Sequence, residues 1–296
     1  MRLRLVVNPA AGGVRRDRVA AARARLAEGP WALELCQSRS SEHLRDLAAE
    51  AASRDDCAGL VVAGGDGTVS AAVAGLLGSR LPLGVLPLGT GNDFASALGL
   101  PGDPVAAAAV ILTGRTRAVD LGRARPDAGA PRPFACAVGI GLDEPALRYS
   151  GSVPWLPPRL RYAYGGVRAL IEHRPRRVRV EIDGVAWDEW TVTIVVTNTP
   201  SYGAGMRINP LARVDDGRLD LCAVARAGRI RLLRLFPTIY RGTHVREPEV
   251  RSCQGRVIRV EADQPIRLCV DGDPTDLTTP VVLEAQPGAL SVFAPG

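Results

Sequence analysis

The stretch LVVAGGDGTVSAAVAGLLG, residues 60–78, places a single carboxylate, Asp66, among glycines at the end of an apolar run. The apolar residues before it are typical of a strand that is buried in a parallel sheet. The residues after it are typical of a helix that begins at or just after Thr68. Ligand sites of open α/β sheets lie at such carboxyl ends of strands. A carboxylate is costly there unless a positive group meets it, so the stretch predicts an α/β domain with a ligand site at Asp66.

The glycines of this turn indicate what the ligand is. We expect Gly64, Gly65 and Gly67 to adopt positive φ and to let the backbone approach a ligand closely. Their amide groups, together with the helix N-terminus, suit a phosphate, and Asp66 would then face Mg²⁺ that accompanies the phosphates. The alternative is a tight turn in which Asp66 only caps the helix, and the turn alone does not decide between the two.

A second stretch, PLGVLPLGTGNDFASALG at residues 82–99, repeats the design of an apolar strand, a glycine turn and a helix. Simple N-capping of the helix needs one polar residue. This loop offers Thr90, Asn92 and Asp93 together. Because carboxyl ends of parallel strands share one edge of a sheet, the two loops are predicted to converge on one ligand.

The pattern along the chain predicts two domains of different class. Strand and helix signals alternate over the first 120 residues, which indicates a Rossmann-like α/β domain with a mostly parallel sheet. Short strands separated by Gly, Asp, Asn and Pro turns follow, which favours an antiparallel β-sandwich. We predict an α/β domain over residues 1–122, an all-β domain over 123–285, and a C-terminal segment over 286–296, for which the sequence leaves open whether it returns to the first domain.

The composition of the chain bears on the cellular location of the protein. No apolar run is long enough to span a bilayer, and Asn8 and Pro9 end the first run too early for a signal peptide. The six cysteines form no CxxC pair and the three histidines have no metal-ligand spacing, so we expect reduced thiols in a cytoplasmic protein. The expected location is the cytoplasm, with peripheral contact at the inner membrane surface.

The charge of the chain excludes one mechanism. The formal net charge is +6, and every basic side chain is arginine. A P-loop uses a lysine on the phosphates, and GxxxxGK[ST] is absent. Nucleic-acid binding would rest on net charge alone, and with 4% aromatic residues the chain offers few stacking platforms, so no nucleic-acid partner is expected.

Three motifs give the chain a family resemblance. NPAAGG at Asn8–Gly13, GGDGT at Gly64–Thr68 and PLGTGNDF at Pro87–Phe94 resemble the diacylglycerol kinase catalytic family, which includes bacterial lipid kinases and sphingosine-type kinases. The second half continues the resemblance, in family order. Its matching segments are GIGLD at Gly139–Asp143, NPLARVDDGRLDL at Asn209–Leu221, and VDGD at Val270–Asp273. GGDGT alone is shared with nicotinamide nucleotide kinases, whereas GGDGT with PLGTGNDF is more specific.

The resemblance implies a nucleotide domain followed by a β-sandwich, with the active site between them, and it assigns residues to ATP and Mg²⁺. The implied ATP contacts are Asn8, Ser38, Gly64, Gly65, Asp66, Gly67, Thr68, Thr90 and Asn92. The implied ligands of the catalytic Mg²⁺, partly through water, are Asp66, Asp93 and Asp120. A structural Mg²⁺ in the sandwich would be held by Asp216 and the backbone oxygens of Arg213 and Arg218.

The resemblance also implies a general base. Asp271 and Asp273 match the family's DGE, whose acid takes the proton of the attacking hydroxyl, and Asp271 would orient Asp273. The family's glutamate is Asp273 here, shorter by one methylene, and this departure bears on the reach that a base needs. Cys136 is a second departure, since asparagine is common at that position in the family, and we have no account of it.

The implied function is ATP- and Mg²⁺-dependent phosphorylation of a lipid hydroxyl, with diacylglycerol as the default acceptor. Two segments are expected to contact a membrane: one around Trp155, Tyr162 and Tyr164, and a helix in which Ile230, Leu233 and Phe236 share a face edged by arginines. Packed helices with solvated arginines are the alternative. A soluble nicotinamide-nucleotide-type kinase and a non-catalytic nucleotide- or lipid-binding module also stay open, and an exposed sandwich edge would suit a homodimer.

Overall fold

The computed structural model describes residues 1–9, 16–127 and 129–295. Most of the NPAAGG motif, residues 10–13, therefore lies outside the described residues. The chain forms two compact units, one of Met1–Leu121 with Pro287–Gly296 and one of Gly122–Gln286. We call them the first and second unit.

The first unit is a parallel sheet with helices on both faces. Its strands are β1 (Arg2–Val7), β2 (Ala32–Gln37), β3 (Cys57–Gly64) and β4 (Leu83–Pro87). Its helices are α1 (Arg16–Ala27), α2 (Ser41–Ala52), α3 (Asp66–Leu76), α4 (Asp93–Ala97) and α5 (Pro104–Leu112). The strands pair in parallel in the order β4-β3-β1-β2, so all four carboxyl ends lie at one edge.

Apolar side chains explain where the helices of this unit lie. One cluster joins the inward residues of β1, such as Leu3 and Leu5, to Leu26 of α1 and Ile111 of α5. On α2 and α3, which pack together, Gly75 allows the close approach, because a Cβ at this residue would lie 2.2 Å from the carbonyl oxygen of Arg45. Helix α3 begins at Asp66, two residues before the predicted start, because the carbonyl of Gly65 already accepts the amide protons of Thr68 and Val69.

The second unit is built mainly of antiparallel strands. Its strands are β6 (Arg132–Phe134), β7 (Ala137–Ile140), β8 (Arg176–Ile182), β9 (Val185–Thr197), β10 (Leu219–Ala225), β11 (Val250–Gly255), β12 (Val257–Ala262), β13 (Arg267–Val270) and β14 (Asp273–Thr278). Two further strands, β5 (Thr116–Pro126) and β15 (Val281–Phe293), each contribute residues to both units. Within the second unit the order is β14-β13-β7-β9-β8-β12-β15, with β10 on β9 and β11 on β10. These observations confirm the predicted α/β plus β architecture.

Three helices accompany these strands: α6 (Asp143–Gly151), α7 (Pro158–Glu172) and α8 (Arg229–Ile239). Leu232 and Leu235 of α8 are buried with Val192 and Leu170, while Ile230 is 70% exposed. The buried stripe of α8 therefore differs from the face of Ile230, Leu233 and Phe236, and contact of that face with a membrane stays a prediction. Phe236 instead packs on Gly166 of α7.

The cysteines and the apolar helices were the remaining features predicted from the sequence. All six cysteines are free thiols, and Cys57, Cys136, Cys222 and Cys269 are buried. Among the described residues, no helix is both long enough and apolar enough to cross a membrane.

Candidate active site

The turn between β3 and α3 is narrow for a steric reason. None of Gly64, Gly65 and Gly67 has a positive φ, so the prediction of left-handed backbone at these glycines is wrong. A Cβ at Gly64 would lie 2.2 Å from the hydroxyl oxygen of Thr68, and one at Gly65 would lie 2.9 Å from the Cα of Gly89. Around Gly67 no atom of the described residues lies within 4 Å of such a Cβ, and the residue is exposed. The glycines serve close packing on one side of the turn and leave open space on the other.

The β4–α4 loop is closed by its own asparagine. Asn92, at φ 54°, accepts the amide proton of Gly89 through Oδ1 at 2.8 Å and donates from Nδ2 to the carbonyl of Gly89 at 2.9 Å. Asparagine tolerates the left-handed region because its short side chain can bond locally in this way. The loop is thereby fixed before α4 begins at Asp93.

A carboxylate joins the two loops. Asp66 Oδ1 accepts the amide proton of Phe94 at 3.1 Å, across the first turn of α4. Together with the contact of Gly65 and Gly89, this bond holds the two predicted phosphate loops side by side. Asp66 is therefore neither a simple cap of its own helix nor a bare metal ligand, because it also fixes the neighbouring loop.

Two polar side chains extend this edge toward β1 and β2. Asn8 follows β1 and donates from Nδ2 to the hydroxyl of Thr68 at 3.1 Å. Ser38 follows β2, is buried, and donates its amide proton to the carbonyl of Val7 at 3.0 Å. Thr90 is exposed in the β4–α4 loop. The residues assigned to ATP thus come from the ends of adjacent parallel strands, at one edge of the first unit.

The carboxylates assigned to the catalytic Mg²⁺ do not form a compact metal-binding cluster among the described residues. Asp93 and Asp120 are each 3% exposed, and Asp120 Oδ1 accepts the amide proton of Gly288 at 2.8 Å. In the part of the chain that the structure describes, no three acidic, histidine or cysteine side chains converge as a metal cluster. Mg²⁺ usually binds through one or two carboxylates, waters and substrate phosphates. The residues therefore fit a cation that arrives with a nucleotide and do not form a protein cage.

In the second unit, the VDGD motif is a two-residue hairpin turn between β13 and β14. Asp271 and Gly272 have φ 49° and 87°, as a type I′ turn requires of both central residues. The carboxylate of Asp271 accepts three backbone amide protons, from Ala135, Cys136 and Ala137, at 2.8–3.0 Å. Asp271 thus ties the turn to the segment that leads into β7.

Asp273 presents a different environment from Asp271. It is the first residue of β14, its side chain is 56% exposed, and Arg132 lies 3.9 Å away. An exposed carboxylate at the start of a pinned strand can reach a substrate, whereas the carboxylate of Asp271 is occupied by backbone amides.

The loop assigned to a structural Mg²⁺ leads into β10, where Asp220 has a buried carboxylate. Asp216 accepts from the amide of Arg218 at 3.0 Å and from Gln254 at 2.8 Å, and the guanidinium of Arg213 pairs with Asp215 at 3.1 Å. Asp220 Oδ2 is buried and has no hydrogen-bond partner among the residues that the structure describes, and burial, with the nearby charge of Asp216, raises the pKa of Asp220 to about 6. An orphaned carboxylate oxygen beside a second carboxylate fits a cation at this loop.

GIGLD is one of the motifs of the family resemblance, but Asp143 in it was not among the predicted site residues. Asp143 accepts a hydrogen bond from Tyr202, and burial raises the pKa of Asp143 to about 6. Burial also raises the pKa of Tyr202 well above its ordinary value. Both residues line an otherwise mostly apolar cavity of about 110 Å³. The position of Asp143 inside a glycine motif could have marked it as a candidate site residue. Tyr202 lies in no motif, so only the fold shows that it is close to Asp143.

Fold and site together define a class: an α/β unit with two glycine loops for phosphate, followed by an antiparallel β unit that carries an exposed acid. Family models agree with that class. Residues 2–124 match the diacylglycerol kinase catalytic domain, and residues 136–294 match the YegS C-terminal NAD kinase beta sandwich-like domain. The chain belongs to the diacylglycerol kinase family and is, by class, a kinase.

Relatives and solved structures agree with this membership. A diacylglycerol kinase of Mycobacterium tuberculosis is 37% identical over 87% of this chain and 82% of that protein. A diacylglycerol kinase of Bacillus subtilis is 30% identical over 72% of this chain and 70% of that protein. A crystal structure of a Bacillus anthracis protein superposes with a TM-score of 0.81 at 25% identity, covering 99% of this chain and 97% of that one.

Proposed function

We propose that the protein transfers the γ-phosphoryl group of ATP to a lipid hydroxyl, with diacylglycerol as acceptor. The observation that carries the proposal is the pair of glycine loops at one sheet edge, held together by the bond from Phe94 to Asp66. The names of the relatives, diacylglycerol kinase, support the choice of acceptor.

Phosphoryl transfer is mostly positioning and charge neutralisation. Helix α3 begins at Asp66, next to the exposed Gly67, and the N-terminus of a helix suits the negative charge of the phosphates of ATP. The chain has no lysine, so backbone amides and arginine supply the protein's own positive charge. Mg²⁺, when bound with the nucleotide, would neutralise phosphate charge, and Asp66, Asp93 and Asp120 are the residues proposed to hold it.

Asp273 is proposed as the general base. Its exposure leaves the carboxylate accessible to a substrate hydroxyl, and Asp271 positions it through the hairpin turn. A positioned base contributes roughly 10²–10⁴-fold to a rate. Asp273→Asn is therefore expected to lower kcat by at least roughly a hundredfold.

The cavity beside Asp143 and Tyr202 supports a lipid acceptor. Its walls include Leu170, Leu232 and Phe236, which suit a hydrocarbon chain. Small-molecule sites usually measure about 300–1,000 Å³, so a cavity of about 110 Å³ takes only part of an acyl chain.

Peripheral contact with a membrane is proposed for the segment around α7. Trp155 is 75% exposed, and Leu160, Tyr164 and Ile171 are exposed on α7 itself. Exposed apolar side chains next to arginines suit an anionic bilayer surface. Trp155→Ala is expected to reduce co-sedimentation with anionic vesicles. Trp190→Ala, which removes another exposed tryptophan of the same unit, is the matched control.

The function is tested with labelled ATP, Mg²⁺ and the purified chain. The acceptors are diacylglycerol, a sphingoid base and phosphatidylglycerol in mixed micelles, and NAD in solution. We expect label in phosphatidic acid, loss of transfer in Asp273→Asn, and unchanged transfer in Asp276→Asn, an exposed acid of the same strand. Label in NAD would instead favour the soluble kinase, and ATP binding without any transfer would favour a non-catalytic module.

A further inference from the structure

The second unit contains another cavity, larger and polar. It measures about 420 Å³, within the range of about 300–1,000 Å³ usual for small-molecule sites. Residues of α6 and α7 form one side, and strands β7, β8, β9 and β13 form the other. Of the described lining residues, Val192 alone is shared by this cavity and the apolar one beside Asp143. The polar cavity is thus a separate space from the one proposed for the lipid.

Positive charge dominates the polar cavity. Its lining includes four arginines, Arg148, Arg174, Arg176 and Arg267. Arg176 donates to the side-chain oxygen of Gln264 at 2.6 Å, and Arg148 lies over the ring of Tyr149. Across the described ranges, none of the four is within ion-pair distance of a carboxylate. Arg148, Arg174 and Arg267 are exposed and Arg176 is half-buried, so water screens part of their mutual repulsion, and an anion among them would reduce the rest.

The acids of the cavity do not cancel this charge. Glu144 and Glu172 line it. Glu172 is already paired with Arg168 at 2.6 Å, outside the lining, and it also accepts from the hydroxyl of Tyr149. The other lining carboxylate, Glu144, has no arginine partner within the part of the chain that the structure describes, so four arginines share the cavity with one such acid.

A buried donor completes the arrangement. His173 follows α7 and lines the cavity, and its buried Nε2 has no hydrogen-bond partner among the described residues. Burial and the neighbouring charge of Arg176 lower the pKa of His173. A buried polar atom without a partner is costly, and an anion in the cavity would accept a hydrogen bond from it.

We propose that this cavity binds a phosphate group, held by Arg176 and Arg267 with His173 as a further donor. A guanidinium group binds two oxygens of a phosphate in a forked, bidentate geometry. A phosphate dianion can bind several guanidinium groups at once. The phosphate comes either from a soluble phosphorylated molecule or from a lipid headgroup. The proposal does not rest on the phosphotransfer reaction, since none of these residues takes part in it.

The test follows the histidine side chains by NMR, because the chain has only three of them. Loss of one ring signal in His173→Gln assigns His173, and inorganic phosphate is then titrated into the wild-type chain. We expect a saturable shift of the His173 signal and a rise in its pKa. Phosphate bound at the glycine loops of the first unit does not mimic this readout, because the readout is local to His173.

Two arginines of β8 provide matched variants. Arg176→Ala removes a lining guanidinium. The affinity for phosphate, read from the His173 signal, is expected to fall roughly tenfold or more. Arg177→Ala removes the same charge from the next, exposed residue, which points to the other face of the strand, and is expected to titrate like the wild type.

A parallel arm uses phosphatidylcholine vesicles with and without phosphatidylglycerol. A saturable response to inorganic phosphate that is lost in Arg176→Ala assigns the cavity to soluble phosphates. Vesicle binding that Arg176→Ala weakens and Arg177→Ala retains, without a response to inorganic phosphate, assigns it to lipid headgroups. The proposal is overturned if neither probe binds at His173, or if Arg176→Ala and Arg177→Ala respond alike.

Discussion

Asp271 and Asp183 occupy the same place in two hairpin turns. Each is followed by glycine, each has a positive φ, and each accepts amide protons from a neighbouring segment of backbone. Asp183, in the β8–β9 turn, belongs to no motif of the family resemblance. The likeness indicates that Asp271 is first a structural residue, which holds the strand on which Asp273 stands.

Stability measurements separate these two acids. Asp271→Asn replaces one oxygen of a buried carboxylate by an NH2 group, which removes the bond from Ala135 and the charge behind the bonds from Cys136 and Ala137, and it is expected to lower the free energy of unfolding by about 3 kcal/mol. Asp273→Asn changes an exposed side chain and is expected to alter it by less than about 0.5 kcal/mol. Urea denaturation measures both. Equal unfolding midpoints for Asp271→Asn and the wild type would contradict the structural role.

The pKa of Asp143 predicts a pH dependence of stability. Burial raises this pKa from 3.8 to about 6 in the folded chain, so the folded state binds more protons than the unfolded state between these values. Stability from this group is therefore present at low pH and is lost as pH rises through about 6. Asp143→Asn removes that loss. Relative to the wild type, the variant is expected to gain stability as the pH rises from about 4 to about 6, measured by urea denaturation. A constant difference would refute the assignment.

At the scale of an element, the β3–α3 turn makes opposite predictions for two glycines. Gly65→Ala places a Cβ 2.9 Å from the Cα of Gly89 and must separate the two loops, so stability is expected to fall. Gly67→Ala meets nothing within 4 Å and gains helix propensity, so stability is expected to rise by up to about 1 kcal/mol.

ATP affinity tests the function of the same turn. The added methyl group of Gly67→Ala occupies the open side of the turn, where the proposed nucleotide binds, so affinity is expected to fall although the fold is more stable. Calorimetric titration with Mg-ATP measures the affinity of the folded variant. Wild-type affinity in Gly67→Ala would rule out phosphate binding at the amides of α3.

Helices and strands could be predicted from the sequence where a single local pattern determines their type and position. The apolar run before Asp66 predicted a buried parallel strand, and the two glycine loops were correctly placed at strand ends. The conformation of the glycines was not predictable, because the close approach of Gly65 to Gly89 depends on two separate loops. For α8, an arginine-rich helix offers several apolar stripes, and the packing against Val192 and Leu170 selects Leu232 and Leu235.

At the scale of the whole molecule, the site carboxylates depend on contacts that no local pattern shows. Asp120 bonds to Gly288, which lies 168 residues later in the chain. Phe293 is 2% exposed and packs beside Trp31, with ring centroids 6.1 Å apart. Any Cβ at Gly59 of β3 would lie 2.7 Å from the Phe293 ring. The last residues of the chain are therefore part of the core of the first unit.

Truncation tests this dependence. A chain that ends at Gln286 loses Phe293, the pairing of Val292 with Leu83, and the bond from Gly288 to Asp120. Loss of one buried phenylalanine costs about 3–5 kcal/mol, so the first unit is expected to be strongly destabilised although residues 1–121 are intact.

Hydrogen exchange read by mass spectrometry locates the damage. Protection is expected to fall in β1, β3 and β4 and to persist in β8 and β9, because the truncation removes no residue of the second unit. Two controls keep the contacts: a chain that ends at Ala294, and Phe293→Leu, which retains most of the buried volume and is expected to cost less than about 1.5 kcal/mol. If β3 stayed protected in the chain ending at Gln286, the first unit would fold without its C-terminal strand, and the burial of Phe293 would not contribute to its stability.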